Sequence, residues 1–161
     1  MKTYYKYGLF LLVLFWMVLI FTLSNQPKTD SRELSSSLTE KVLSTIEIVL
    51  PDLEVNEERL HHIIRKNAHF LAYCLLGVLV IFSINRMKLA PIRSIGLAMA
   101  VCILFAISDE VHQLFVPGRG AEVKDVLIDS AGASVGIGLY VCITRFLKTS
   151  MSSRRIGRGK V

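Results

Sequence analysis

Four long apolar stretches dominate this chain and limit the folds that are open to it. A helix of about 20 mostly apolar residues crosses the hydrocarbon core of a bilayer, which is about 30 Å thick. The apolar stretches cover residues 7–23, 67–84, 92–114 and 125–146, and the first of them carries no charge. Only 20% of the residues are charged, too few to cover four such helices in water. The sequence therefore predicts an all-α, multi-pass membrane protein with four transmembrane helices in a small bundle.

The 161 residues leave room for one domain, 1–161. Residues 24–66 form its longest polar segment, between the first two spans, and residues 147–161 form a basic tail. The first span resembles a secretory signal because Lys2 and Lys6 precede it, but no small-x-small cleavage site follows. We favour a retained span.

The distribution of charge predicts which side of the membrane each end occupies. The N-terminus, the loop 85–93 and the segment 145–161 together hold eleven Lys and Arg residues and no acid. The other eight Lys and Arg residues and all thirteen acids lie in 24–66 and 109–129. Because positive loops stay cytoplasmic, we expect both termini in the cytoplasm and the chain in the plasma membrane. The net charge of +6 then indicates topology and contact with anionic membrane lipids, and no nucleic-acid partner.

The segment between the first two spans contains an amphipathic pattern. Apolar residues recur every three or four positions over 31–50, which predicts an extracytoplasmic helix that ends at Pro51. Asn56 is a typical N-cap, and Glu57 and Glu58 follow it in the first turn. We therefore expect a second helix that begins here and continues without a break into the second span.

Ionisable residues at membrane depth are the most informative part of the sequence. Each costs about 2.5–3.5 kcal/mol on insertion scales, so such residues face the bundle interior and pair with one another. The predicted ligand-binding set is Arg65, Lys66, His69 and Tyr73 on the second helix, Asp109, Glu110 and Gln113 at the end of the third, Arg119 in the following turn, and Asp125 and Asp129 at the start of the fourth. Spacing by four residues places several of them on shared helix faces.

Three functions suit this set. The favoured one is a site for an anionic lipid or cell-envelope precursor headgroup, bound by the cations. The second is an intramembrane hydrolase or transferase, with Glu110, His69 and His112 as candidate catalytic residues. The third is a structural polar network or partner-binding protein without catalysis. A metal variant with His69, His112 and a carboxylate lacks a zinc-box spacing, so we expect no metal and no cofactor.

Small residues and thiols within the spans predict close packing. Gly132 and Gly136 form a small-xxx-small pair, for which packing inside the monomer is favoured over homodimerisation; the oligomeric state stays open. Cys74, Cys102 and Cys142 lie in three different spans, so we expect free, buried thiols.

Two stretches resemble the signature blocks of the VanZ-like membrane protein family. One is KNAHFLAY over residues 66–73, and the other is DEVHQLFVPGR over residues 109–119 with its continuation DVLIDSAG over 125–132. The exit SNQP of the first span, over residues 24–27, is also similar to the family pattern, whereas Asp129 stands where that pattern often has asparagine. The resemblance implies a small multi-helix protein of the cell envelope that contributes to glycopeptide (teicoplanin) tolerance. A lipid-linked cell-wall precursor as the ligand of the cations would fit that role.

Overall fold

The computed structural model is all-helical over the residues that it describes, which are 2–25, 43–44, 56–87, 89–117 and 119–158. Its long helices are α1 (Lys2–Ser24), α2 (Glu57–Ile84), α3 (Pro91–Gln113) and α4 (Val123–Arg158), and a short 3₁₀ helix (Asn85–Met87) follows α2. All four long helices are long and apolar enough to cross a membrane. The predicted four-span membrane bundle is therefore confirmed.

Local sequence signals explain where the helices begin. The Asn56 side chain accepts a hydrogen bond from the Arg59 backbone N–H at 3.1 Å, so Asn56 caps α2 as predicted. Pro91 begins α3. Proline suits this position because a backbone N–H in the first turn would have no acceptor within the helix. The helix α2 continues without a break from its cap into the second span, as predicted. Most of the predicted amphipathic helix over 31–50 lies outside the described residues; of that segment, Leu43 and Ser44 are described, and both are helical.

The core lies between α2 and α4, which pack against each other more extensively than any other pair of long helices. Their close approach depends on three glycines, Gly77, Gly132 and Gly136. A Cβ atom on each would clash with a backbone carbonyl oxygen of the facing helix. The small-xxx-small pair of α4 is thus used inside the monomer, as favoured from the sequence.

The helices α1 and α3 cover this central pair on other sides. The Trp16 indole N–H of α1 donates to the Ala72 carbonyl of α2 at 3.0 Å, and Val13 and Ile20 of α1 are buried in the core. Only 17–33% of each apolar span is buried inside the bundle, so most of the apolar side chains face outward. Such a surface is suited to lipid. The cysteines are free, as predicted, but only Cys102 is buried; Cys74 is half-buried and Cys142 is exposed on the apolar outer surface, so the predicted burial is wrong for these two.

Candidate ligand site at one end of the bundle

Polar side chains of all four helices lie at one end of the bundle, where α1 and α3 end and α4 begins. A small cavity at this end is lined by Arg65, Lys66, His69, Gln113, Arg119, Asp125, Ile128 and Asp129. Seven of the ten residues predicted to bind a ligand are in this lining; the other three, Tyr73, Asp109 and Glu110, are buried below or beside it. The cavity measures about 10 Å³, room for about one water molecule. Its polar groups are therefore closely spaced.

An ion pair joins α2 to α4 beside this cavity. The Lys66 Nζ atom lies 2.6 Å from Asp125 Oδ1 and 3.5 Å from Glu122 Oε2. The side chains of Lys66 and Asp125 are only about one-fifth exposed. Glu122 was not among the predicted residues, because its position before α4 gives no periodic signal. Lys66 was predicted to bind a ligand; within the described residues its ammonium group contacts two carboxylates of this chain.

A second network joins α1 to α3. The Ser24 hydroxyl donates to Asp109 Oδ2 at 2.9 Å, and the Gln113 side-chain amide donates to the Ser24 hydroxyl at 2.7 Å. All three side chains are buried. Asp109 and Gln113 therefore share a helix face, as their spacing predicted. Ser24 is the residue that the prediction missed, although it begins the SNQP stretch that resembles the family pattern.

Removing the Ser24 hydroxyl is expected to weaken the attachment of α1. Ser24→Ala leaves Asp109 Oδ2 without its donor and the Gln113 amide without its acceptor, and unsatisfied buried groups cost about 1–3 kcal/mol each. We expect the free energy of unfolding in mixed detergent micelles to fall by about 2–3 kcal/mol. Ser94→Ala is the matched control, because the Ser94 hydroxyl is equally buried but has no hydrogen-bond partner in the described chain. Equal losses in both variants would contradict this assignment.

Glu110 has a structural role at the start of α4. Its Oε2 atom accepts a hydrogen bond from the Glu122 backbone N–H at 2.9 Å, and the side chain is only 3% exposed. This contact joins the end of α3 to the residue just before α4. Neither Glu110 nor Asp109 forms an ion pair with Arg65, Lys66 or Arg119 within the described residues.

His112 lies away from the cavity. Its Nε2 atom is 3.2 Å from Asn25 Oδ1, and its ring contacts that of Phe21 with centroids 4.3 Å apart. Both partners belong to α1 or its end. A hydrolase in which Glu110 orients His69 or His112 as the base would need a contact between them, and none is seen among the described residues. The metal variant that used His69 together with His112 also fails, because only His69 lines the cavity.

At the cavity, three residues from three helices meet, and two of them, His69 and Asp129, line it. One ligand-type atom each of His69, Asp109 and Asp129 lies within 4.8 Å of the others. Asp109 is fully buried and Asp129 is 1% exposed. The Tyr73 hydroxyl, one helical turn below His69, is buried within electrostatic reach of both carboxylates. The sequence predicts that these four residues face the bundle interior. It does not predict that the three ligand-type atoms lie so close together.

The two arginines of the cavity are close enough to repel each other. Burial lowers the pKa of the Arg119 guanidinium, the positive charge of Arg65 lowers it further, and Asp109 and Glu110 act in the opposite direction. An arginine stays protonated in proteins, so the lowered pKa reports a positive charge that is poorly compensated at this place. The Arg119 Nε atom is buried without a hydrogen-bond partner in the described chain. These two guanidiniums are the groups here that an anion would stabilise.

The helices and this polar end define a small multi-pass membrane protein with a charged, cavity-lining cluster at one end of its bundle. The profile of the VanZ/LLP1 family matches residues 9–145, which include all four apolar spans and the whole cluster. The chain therefore belongs to the VanZ family, and the predicted resemblance is confirmed. No curated protein and no solved structure matches it.

Proposed function

We propose that this VanZ-family protein binds the anionic headgroup of a lipid-linked or cell-wall precursor at the polar cavity. The observation that carries the proposal is the pair of guanidiniums, Arg65 and Arg119. They line one cavity, and neither forms an ion pair within the part of the chain that the structure describes. Two mutually repelling cations at the end of a membrane bundle cost free energy, and a bound phosphate or carboxylate would recover it.

Phosphate is the favoured chemistry because of the geometry of arginine. A guanidinium donates two parallel hydrogen bonds to a phosphate or carboxylate, whereas an ammonium acts as a point charge. The cavity holds about one water molecule, so the headgroup would lie at the rim, on the two guanidiniums. Lys66 is already paired with Asp125 and has a supporting role in this proposal.

The charge distribution supports an outward-facing site. The N-terminus, the loop after α2 and the segment 145–161 hold eleven Lys and Arg residues and no acid. The start of α1, the end of α2 and the described end of α4 are at the bundle end away from the cavity. If positive loops are cytoplasmic, the cavity opens at the outer leaflet of the plasma membrane, and both termini are cytoplasmic. A protein that holds a lipid-linked precursor there would reduce its availability to a glycopeptide, and this is the proposed route to teicoplanin tolerance.

Native mass spectrometry of the full-length protein released from detergent tests the binding step. The probe is a polyprenyl pyrophosphate lipid added to the purified protein, with phosphatidylglycerol and phosphatidylcholine as competitors. We expect a one-to-one pyrophosphate adduct in the wild type. Arg119→Gln and Arg65→Gln should each weaken it by about 10- to 100-fold, because a charged hydrogen bond contributes about 1.5–3 kcal/mol.

Arg93→Gln is the matched control, since Arg93 is an exposed arginine near the opposite end of α3. It should leave the adduct unchanged. The absence of an adduct in the wild type, or equal adducts in all four proteins, would overturn the headgroup proposal. A preference for phosphatidylglycerol over the pyrophosphate lipid would overturn the precursor as ligand and leave an anionic phospholipid site.

Tolerance is tested separately, in a glycopeptide-sensitive bacterial host. Expression of the wild type should raise the inhibitory concentration of teicoplanin, and Arg119→Gln at equal abundance should not. If the variant protected as well as the wild type, the link between the cavity and tolerance would be refuted. Binding data from the purified protein would stand independently of that result.

A further inference from the structure

Two buried carboxyl groups of the cluster at the cavity lie close together without a matching number of positive charges among the described residues. Asp109 and Asp129 are both at most 1% exposed, and their carboxylates face the same small volume. An isolated buried carboxylate is so costly that buried charges are paired or coordinate metals. Two adjacent ones raise the cost, because they also repel each other.

The hydrogen bonds of the described chain leave most of these oxygen atoms unpartnered. Asp109 Oδ2 has the Ser24 hydroxyl, but Asp109 Oδ1 and both oxygens of Asp129 have no hydrogen-bond partner. The His69 Nδ1 atom lies 3.9 Å from Asp129 Oδ2, which is too far for a hydrogen bond. A protonated imidazole would also neutralise only one of the two carboxylates. With both carboxyl groups ionised, the cluster therefore lacks about one unit of positive charge and several close donors or ligands among the described residues.

From this geometry we infer that His69, Asp109 and Asp129 bind one divalent transition-metal ion of the zinc class. The three ligand-type atoms lie within 4.8 Å of one another. Neighbouring ligands of a tetrahedral zinc ion with bonds of about 2.0–2.2 Å are about 3.3–3.6 Å apart. Side-chain movements of about 1 Å would therefore bring the three atoms to the spacing of zinc ligands, and the ion would neutralise both carboxylates at once.

The identity of the donors selects the class of ion. A neutral imidazole nitrogen is a common ligand of zinc, copper, iron and nickel, whereas magnesium and calcium prefer all-oxygen sites. One nitrogen and two carboxylate oxygens therefore favour zinc over the alkaline-earth ions. Three protein ligands leave a fourth position for water or a ligand atom. His69 and Asp129 line the cavity of the two arginines, so that position is accessible from the proposed anion site.

Other groups of the described chain could satisfy the two buried carboxylates only in part. Tyr73 contributes one hydroxyl, which is itself buried without a partner in the described residues. A single bound water would donate to two oxygens at most and would leave the charge unchanged. The acids Asp125 and Glu122 are engaged by Lys66, and Glu110 by the backbone. The inference uses only the three remaining groups, and it does not depend on any anionic ligand.

Elemental analysis of the full-length protein, purified in detergent without chelators and then dialysed with Zn²⁺ alone, tests the site. We expect about one zinc ion per chain in the wild type. Asp129→Asn and His69→Gln should each weaken zinc binding by at least about 100-fold, since even loss of an outer-shell partner weakens metal binding by 10- to 100-fold. Glu57→Gln is the control, because it removes an exposed carboxylate of α2 that lies outside the cavity and is not one of the three ligands. It should keep its zinc.

Thermal unfolding distinguishes the loss of the metal site from a failure of the variant to fold. Zn²⁺ at a hundredfold excess over its Kd should raise the Tm of the chelated wild type by about 5–10 °C. Folded Asp129→Asn should show no rise. Co²⁺ added in place of Zn²⁺ should give the visible absorption of a four- or five-coordinate ion in the wild type only. Substoichiometric zinc in the wild type, or equal zinc in Asp129→Asn, would refute the metal site. Repeating the pyrophosphate measurement on chelated protein keeps it independent of either result.

Discussion

Replacing Gly136 by leucine is expected to separate α2 from α4 and to cause the largest loss of stability of any single substitution discussed. A Cβ atom at this position would clash with the Cys74 carbonyl oxygen. This oxygen belongs to the backbone of α2, so it cannot move aside by a change of side-chain rotamer. The helices can only move apart, and the contacts along their whole interface weaken together. Overpacking typically costs about 1–3 kcal/mol and occasionally more; because the clash is with backbone, we expect about 3 kcal/mol or more.

The single tryptophan of the chain is a convenient probe of this change. The Trp16 indole donates to the Ala72 carbonyl of α2, so its fluorescence follows the packing of α1 on α2 during unfolding in mixed micelles. Gly138→Leu is the matched control, because nothing lies within 4 Å of the corresponding Cβ position on the same helix. It should change stability by less than about 0.5 kcal/mol. A similar loss in both variants would show that helix propensity, and not the crossing, sets the cost.

Most of the fold could be predicted from the sequence because a bilayer simplifies the problem. Length and apolar content alone fix the number of spans, and the Asn56 cap and Pro91 mark where two of the helices begin. Which helices touch is a different question. The pair Gly132 and Gly136 indicated a close contact but not its partner, since the same pattern serves a dimer as well as a monomer. Only the positions of the facing carbonyls decide between them.

The sequence predicts along which helix face, and how far from the helix end, each candidate site residue lies. It does not predict which of these residues meet. Spacing by four residues placed His69 below Arg65 and Asp129 below Asp125, and all four line the cavity. Spacing does not determine how a helix is rotated about its axis relative to its neighbours, so it could not show that His112 lies outside the cavity lining. That side chain lies one position from Gln113 but on another face of α3, where it contacts the end of α1.

Sequence reasoning also missed groups whose role depends on the backbone. Glu122 precedes α4 and contributes both its N–H, donated to Glu110, and its carboxylate, which lies near Lys66. Asn25 follows α1 and contacts His112. Such residues at helix ends have no periodicity, and their partners are decided by how the ends of separate helices are placed together.

The cations of the cavity divide by what they contact. Lys66 has two carboxylate partners on or just before α4, whereas Arg65 and Arg119 have none within the described residues. A paired cation contributes mainly to holding helices together, and an unpaired one is available to an exogenous anion. Substitutions of Lys66 and of Arg119 should therefore differ in kind: the first should change stability and binding in step, and the second should change binding alone.

Breaking the Lys66–Asp125 ion pair is the second change expected to lower the free energy of unfolding strongly. Removing one partner of a buried ion pair costs about 3–5 kcal/mol, whereas an exposed pair contributes about 0–1 kcal/mol. Both side chains are about one-fifth exposed, so Lys66→Met should lower the free energy of unfolding by about 2 kcal/mol, between those limits. The cost arises because Asp125 stays at the edge of the bundle without its cation.

A double-mutant cycle separates that cost from lost packing. If uncompensated charge is the cause, Lys66→Met combined with Asp125→Leu should recover most of the loss, since apolar replacement of a desolvated pair is often neutral. The coupling free energy between the two positions should then be about 1–2 kcal/mol. A coupling near zero, with the two losses simply adding, would contradict the pair as the link between α2 and α4. The same double variant keeps Arg65 and Arg119, so retention of the pyrophosphate adduct in it would assign binding to the arginines and helix association to Lys66.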